Sequence, residues 1–172
     1  MGKPPRSPYP PDLAEDAEPA LELTDLEDAV ATDLDWANQQ TKRLGALRAE
    51  VTRCRLTGTE LAEAALIDVT FTDCRLDLVG LRMAKLERVV FRDCRMEECD
   101  FYASTLTDVL FENCSLCKAR FSGVKPKRVE LRGCELEGLE GIDALRGARI
   151  PWHDVLQNAP LFATALGLEI VD

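Results

Sequence analysis

Every fifth residue from Val51 to Leu136 is large and apolar, with the single exception of Pro126. The register runs Val51, Leu56, Leu61, Leu66 and Phe71, and continues to Phe121, Leu131 and Leu136. Two residues before each of these stands a small side chain, from Ala49 and Cys54 to Val129 and Cys134. A helix spaces its apolar residues near 3.6 and a strand spaces them at two. Neither produces a period of five held in two registers at once. Such a period means short units that cannot bury an apolar side alone and do so by stacking.

A period of twenty lies over the period of five. Cys54, Cys74, Cys94, Cys114 and Cys134 recur at that interval, as do Val69, Val89, Val109 and Val129, and Phe71, Phe91 and Phe111. Twenty residues therefore make one coil of four sides, and coils stacked at about 4.8 Å place like residues over like. The small and the large residue of each unit point inward, and the other three positions face solvent. Aromatics are only 6% of the chain, so the narrow interior is filled mostly by small aliphatic side chains. Backwards the frame survives through Leu44/Ala46 and Gln39/Thr41 to a first inward pair at Leu34 and Trp36. Forwards it slips in the stretch GLEGIDALRG and returns as a last pair at Ala148 and Ile150. Residues 36–136 correspond to about five coils and a stack of about 24 Å. Pro126 sits at an inward site and lacks a ladder donor, which predicts a local defect without a change of frame.

The units CRLTG, CRMEE, CDFYA, ARFSG and CELEG resemble the pentapeptide-repeat family, whose repeat is usually written A-(D/N)-L-x-x. Two departures stand out. The second position carries Arg, Lys or Glu more often than Asp, and the first prefers Cys and Val to Ala. Both alter surface chemistry and core volume and leave the frame intact. The resemblance implies an all-β solenoid, a right-handed quadrilateral β-helix, over residues 31–150. It also implies a non-catalytic role in binding proteins. Some members of the family occupy DNA gyrase by imitating duplex DNA and so protect it from drugs, and in these a C-terminal helical segment builds a dimer.

The ends read differently. Residues 1–30 are rich in proline and acid, and the expectation is a disordered arm. Its Pro5-Arg6-Ser7-Pro8 matches a PxxP pattern, though an extended tail explains it as well. Residues 151–172 change to a helical period and form an expected cap, because an open solenoid end exposes strand edges and interior. Trp152, Val155 and Leu156 make one stripe after Pro151, and Leu161, Phe162, Ala165 and Leu166 make a second before Gly167. Leu161, Phe162 and Leu166 are candidates both for packing on the last coil and for pairing two chains into a homodimer.

No apolar run approaches the roughly 18 residues of a membrane span, and the N-terminus lacks a signal-peptide layout. Arg6 stands where a myristoylation signal needs Ser or Thr. Seven cysteines, an odd number, without an export signal point to a cytoplasmic protein with free thiols. Six of them fill the small inward slot, where Cys behaves as a small hydrophobe. Cys117 faces outward. The pair Cys114-x-x-Cys117 is half a zinc motif, but the only histidine, His153, lies beyond the solenoid. The expectation is therefore no metal, no cofactor and no catalytic residue, since no phosphate loop or nucleophile and base pair is present either.

Charge bears on the partner. Of the net −10, residues 1–43 contribute −6 and residues 137–172 contribute −4, while 44–136 carry fifteen acids and fifteen bases. A DNA mimic must replace a polymer bearing one charge per about 1.7 Å of axis, and a neutral rod does not. The leading expectation is a scaffold for an unidentified protein partner, without direct nucleic-acid or membrane binding. Imitation of DNA toward gyrase or another type II topoisomerase is the alternative. On the coils themselves the outward apolar residues Val90 and Leu110 are stacked neighbours, with Leu78, Met83 and Tyr102 on other sides. Val90 and Leu110 are the expected contact surface.

Overall fold

The computed structural model describes residues 17–24, 26–41 and 43–171. Seven parallel strands lie in one sheet in chain order: β1 (Glu18–Pro19), β2 (Glu27–Thr32), β3 (Gly45–Thr52), β4 (Ala65–Thr72), β5 (Lys85–Arg92), β6 (Thr105–Glu112) and β7 (Lys125–Arg132). Their register advances by twenty residues per coil, so Leu66 pairs with Leu86, Leu86 with Leu106, and Phe71 with Phe91. Each eight-residue strand covers two sides of the coil and bends between them. The third side is held by single bridges such as Arg55 to Arg75 and Arg75 to Arg95. The fourth is held by Glu60 to Gly80 and Gly80 to Asp100. The sides are numbered one to four in that order, beginning with the side of Leu66 and Leu86.

The corners fall at every fifth residue and take a left-handed backbone: Asp68 at φ 56°, Asp73 at 54°, Leu78 at 59°, Met83 at 55° and Arg88 at 54°. Asp and Asn tolerate this region; Leu, Met and Arg take it at a cost of about 1–2 kcal/mol each. Two of the four corners are closed by a turn hydrogen bond, from Val79 N–H to Leu76 O at 3.2 Å and from Ala84 N–H to Leu81 O at 3.2 Å in this coil. The other two lie at and after the strand bends, and there the ladder itself holds the bend.

Inside, both inward registers are buried. Phe71, Phe91 and Phe111 stack at 5.1 and 5.2 Å on side two. From the opposite wall, side four, Phe101 and Phe121 stack at 4.7 Å, and Phe101 meets Phe111 edge-on at 5.8 Å. Opposite walls thus touch through one layer of rings, and no channel separates them. Pro126 holds its place in the ladder opposite Leu106.

The solenoid begins earlier than Leu34 and Trp36. Ala29 and Ala31 already form an inward pair in β2, paired with Ala49 and Val51. Leu23 and Leu26 are buried and close the N-terminal end of the core, and the Trp36 indole N–H donates to Leu21 O at 3.1 Å. The expected disordered arm over residues 1–30 is therefore corrected for 20–30, whose Leu and Ala side chains complete the first coil. Residues 1–16 of that arm lie outside the described residues.

At the other end the frame slips by one residue, since Arg149 bridges Glu130 across nineteen positions. Gly141, left-handed at φ 77°, opens a 3-10 turn over Ile142–Leu145, and Leu145 fills the interior. Helices α1 (Trp152–Gln157) and α2 (Ala159–Ala165) follow. Among the described residues no helix is long and apolar enough to cross a membrane.

Candidate interaction surface

The outer faces of the coils are stitched by ion pairs between adjacent coils. Arg53 donates to Asp33 at 2.7 and 2.8 Å, Arg55 to Asp35 at 2.9 Å and Arg92 to Glu112 at 2.7 Å. Arg48 pairs with Asp28 and Arg128 with Asp108 in the same forked manner. One corner column alternates in sign throughout, Asp28, Arg48, Asp68, Arg88, Asp108 and Arg128, and the next begins Asp33 and Arg53, so an arginine reaches an acid one coil away. Hydrogen bonding from Arg128 holds the Asp108 carboxyl below the usual carboxylate range, and Arg48 and Arg53 do the same to Asp28 and Asp33. In these pairs the charges of the rod are spent on one another.

The cysteines of side three are buried. Their thiols donate to main-chain oxygens of the coil below: Cys74 to Val51 O at 3.4 Å, Cys114 to Phe91 O at 3.4 Å and Cys134 to Phe111 O at 3.4 Å. On side four Thr59 and Cys99 use the matching slot to reach Trp36 O at 2.7 Å and Leu76 O at 2.8 Å. The small inward position of side three thus holds a side chain with a donor in every coil from Cys54 to Cys134. The recurrence of Cys at twenty residues on one side, with Val at the matching slot of side two, was the sequence signal for it. Burial pushes the Cys54 and Cys99 thiols above their ordinary pKa. Cys117 is half-exposed, beside a cleft lined also by Glu137 and Asn158.

Val90 and Leu110 depart from expectation. Both are only 2% exposed, although they occupy the outward position between inward Val89 and Phe91, or Val109 and Phe111. They do not belong to the interior cluster. Leu78, Met83 and Tyr102 are exposed as the pattern indicates, with the Arg82 guanidinium 4.7 Å above the Tyr102 ring. The expected contact surface at Val90 and Leu110 is therefore corrected: as it stands, that strip is closed.

The C-terminal end carries the open apolar surface. Leu161 and Phe162 are half-buried against the last coil, and Leu166 is 75% exposed. The first stripe faces the wrong way for a cap, because Trp152 is 74% exposed and Leu156 is exposed too. The side chain that α1 turns inward is Asp154, 2% exposed. Its Oδ2 accepts from Gly133 N–H at 2.7 Å. In the coils below, the equivalent corner donors bond to the next coil, Asp93 N–H to Glu112 O and Asn113 N–H to Arg132 O. Gly133 has no further coil, and the Asp154 carboxylate stands in for the missing carbonyl. His153 Nε2 lies 2.6 Å from the other oxygen, without the alignment of a hydrogen bond. An open cleft of about 350 Å³ separates α2 from the end of the solenoid, lined by Ile142, Leu145, Ile150, Phe162 and Leu166. Leu168, Ile170 and Val171 extend the exposed apolar surface beyond α2.

Comparison with known proteins agrees with this architecture. The profile of the pentapeptide repeat region matches residues 47–121 and 86–140, together more than half of the chain. No curated protein matches. Among solved structures, QnrB1, a plasmid-mediated fluoroquinolone resistance protein, is 13% identical, with 81% of this chain and 100% of that one covered at a TM-score of 0.48. The pentapeptide repeat protein Rfr23 from the cyanobacterium Cyanothece 51142 is 14% identical, covering 71% and 91% at 0.29. A thylakoid-lumen pentapeptide repeat protein of Arabidopsis thaliana is 15% identical, covering 75% and 73% at 0.39.

Proposed function

The chain belongs to the pentapeptide-repeat family, and we propose that it is a non-catalytic scaffold that joins proteins through its C-terminal end. The observation that carries this reading is the contrast between rod and end. Along the rod, acids and bases are paired across coils, whereas Trp152, Leu156, Leu166, Leu168, Ile170 and Val171 are all exposed within the last 21 residues. An apolar patch of this kind marks a protein contact. Its first occupant is a second copy of the chain, paired through α1 and α2 about Leu166, with Leu161 and Phe162 anchoring α2 to the solenoid.

Light scattering tests the pairing. The wild-type protein should give twice the chain mass, and Leu166→Glu or Leu156→Glu should give the single mass with an unchanged circular dichroism spectrum. A wild-type monomer would end the dimer reading. Imitation of DNA toward gyrase is the weaker alternative, because the paired charges leave no acidic side to the rod. Supercoiling by purified gyrase at physiological salt should be unaffected by the protein, and half-inhibition at low micromolar concentration would reverse that ranking.

A further inference from the structure

Among the described residues, the large apolar side chains exposed on the coils from β3 to β7 are Leu78, Met83 and Tyr102. All three belong to side four. Leu78 is the corner before it, Met83 the corner after it, and Tyr102 stands on the same side one coil on, where its carbonyl accepts from Met83 N–H at 2.8 Å. Single exposed apolar residues mean little, but these share one face on two adjacent coils. Both corners are also left-handed, which costs Leu and Met energy. Every other left-handed corner among the described residues carries a charged residue, Asn, Gly or Ala. The arginines at such corners gain an ion pair with the next coil, as at Arg48, Arg53, Arg88 and Arg128. Leu78 and Met83 gain neither an ion pair nor burial.

Between the two corners the face is low and carries charge. Gly80 has no side chain, and the Glu60 carboxylate of the adjacent coil fills the space a Cβ there would need, 2.5 Å from that position. Glu60 Oε1 is buried without a hydrogen-bond partner. Glu63 is paired with Arg43, and Asp100 with Arg82 at 2.9 Å. That leaves Glu60 and Glu98 as the carboxylates of this face without a cation among the described residues. Arg82 cannot supply one, because its guanidinium is held between Asp100 and the Tyr102 ring. We propose that this face of side four docks a segment of another protein in which one arginine or lysine stands between aliphatic side chains. The cation lies over Glu60 at the centre, and the aliphatic groups meet Leu78 at one rim and Met83 with Tyr102 at the other. The surface is separate from the C-terminal end and does not depend on pairing through α1 and α2.

Amide shifts in two-dimensional NMR of the full chain test this with a defined probe, acetyl-Leu-Arg-Leu-amide, against acetyl-Leu-Glu-Leu-amide. The arginine peptide should shift Gly80, Met83 and Tyr102 with a Kd of about 1 mM, as suits so few contacts. The glutamate peptide should bind at least about fivefold more weakly, and Glu60→Gln should weaken the arginine peptide by about the same factor. Leu78→Asn combined with Met83→Asn separates docking from folding. Asn tolerates the left-handed corner, so Tm should rise by a few degrees while binding falls about tenfold. No shift on side four at about 5 mM arginine peptide, above the expected Kd, overturns the proposal. An equal response to both peptides, or binding that survives the double variant, overturns it as well. If Gly80, Met83 and Tyr102 shift on dilution of the protein alone, the occupant is a second copy of the chain and the proposal falls.

Discussion

The central coils and the C-terminal end solve one problem in different ways. From β4 to β6 the ladder and the inward side chains repeat from one coil to the next, Leu on Leu, Val on Val and Phe on Phe. At the end that repetition stops, and each loose group needs a particular substitute: Leu145 for the interior, Arg149 for one more bridge, and the Asp154 carboxylate for a carbonyl. Redundancy makes the middle tolerant of what stands on its surface, down to Leu and Met at left-handed corners. The end rests on single contacts. It also leaves apolar area uncovered, because two short helices cannot seal a square cross-section.

The comparison is broken most severely by a charge placed in the middle. Phe91→Asp removes a ring stacked on both sides, worth about 3–5 kcal/mol, and buries an unpaired carboxylate costing several more. Together these approach the whole stability of a domain, about 5–15 kcal/mol. The variant should lose its cooperative thermal transition, and a wild-type melting curve would refute the stacked interior.

Removing the end's substitute is the next largest effect. Asp154→Ala leaves Gly133 N–H without a charged acceptor, a loss of about 1.5–3 kcal/mol that should lower Tm by roughly 3–12 °C. Hydrogen exchange should rise in residues 125–145 and stay unchanged in β4 and β5. Uniform exchange across all coils would mean that the rod unfolds as one unit and that the end holds it together.

Thiol chemistry separates the two regions without mutation. Alkylation of the native protein should modify Cys117 first, beside the end cleft, and the six inward thiols about a hundredfold more slowly, by opening of the coils. Mass spectrometry after partial labelling reads the order, and early labelling of Cys74 or Cys94 would contradict a sealed middle.

The smallest effect is electrostatic. Asp28, Asp33 and Asp108 have carboxyls depressed by their arginines, so they contribute stability that is present above the ordinary carboxylate pKa. That contribution is lost as pH falls through the depressed folded values. Tm should be flat from about pH 7 to pH 5 and decline below about pH 4. About 1 M salt shortens the screening length to roughly 3 Å and should reduce the decline. A Tm that rises on acidification would mean that the arginines stabilise nothing.

Most of this fold was legible because a solenoid's contacts are periodic in the chain. The register of Leu66 on Leu86, the Phe ladder and the inward cysteines follow from counting, since twenty residues return to the same point in space. The ends were less legible for the same reason. Leu23 closes the core from outside the frame, so counting back from Leu34 passes over it, while Ala31 and Leu26 continue the five-residue count back from Trp36. The helical period marked a stripe at Trp152 and Leu156, but a period says only that side chains share a face. It does not say which face turns inward, and a single buried carboxylate at Asp154 outweighed the stripe.

The sequence by itself determined the coil, its four sides and the identity of nearly every inward residue, because a five-residue period with small and large slots admits one way of stacking. Only the tertiary structure decided how the corners turn, which thiol meets which carbonyl and what happens to Val90 and Leu110. Those depend on distances between groups a coil or more apart and on what lies over a face. A one-dimensional pattern carries the repeat of a contact, and the surface of the assembled rod decides which outward positions stay open to solvent.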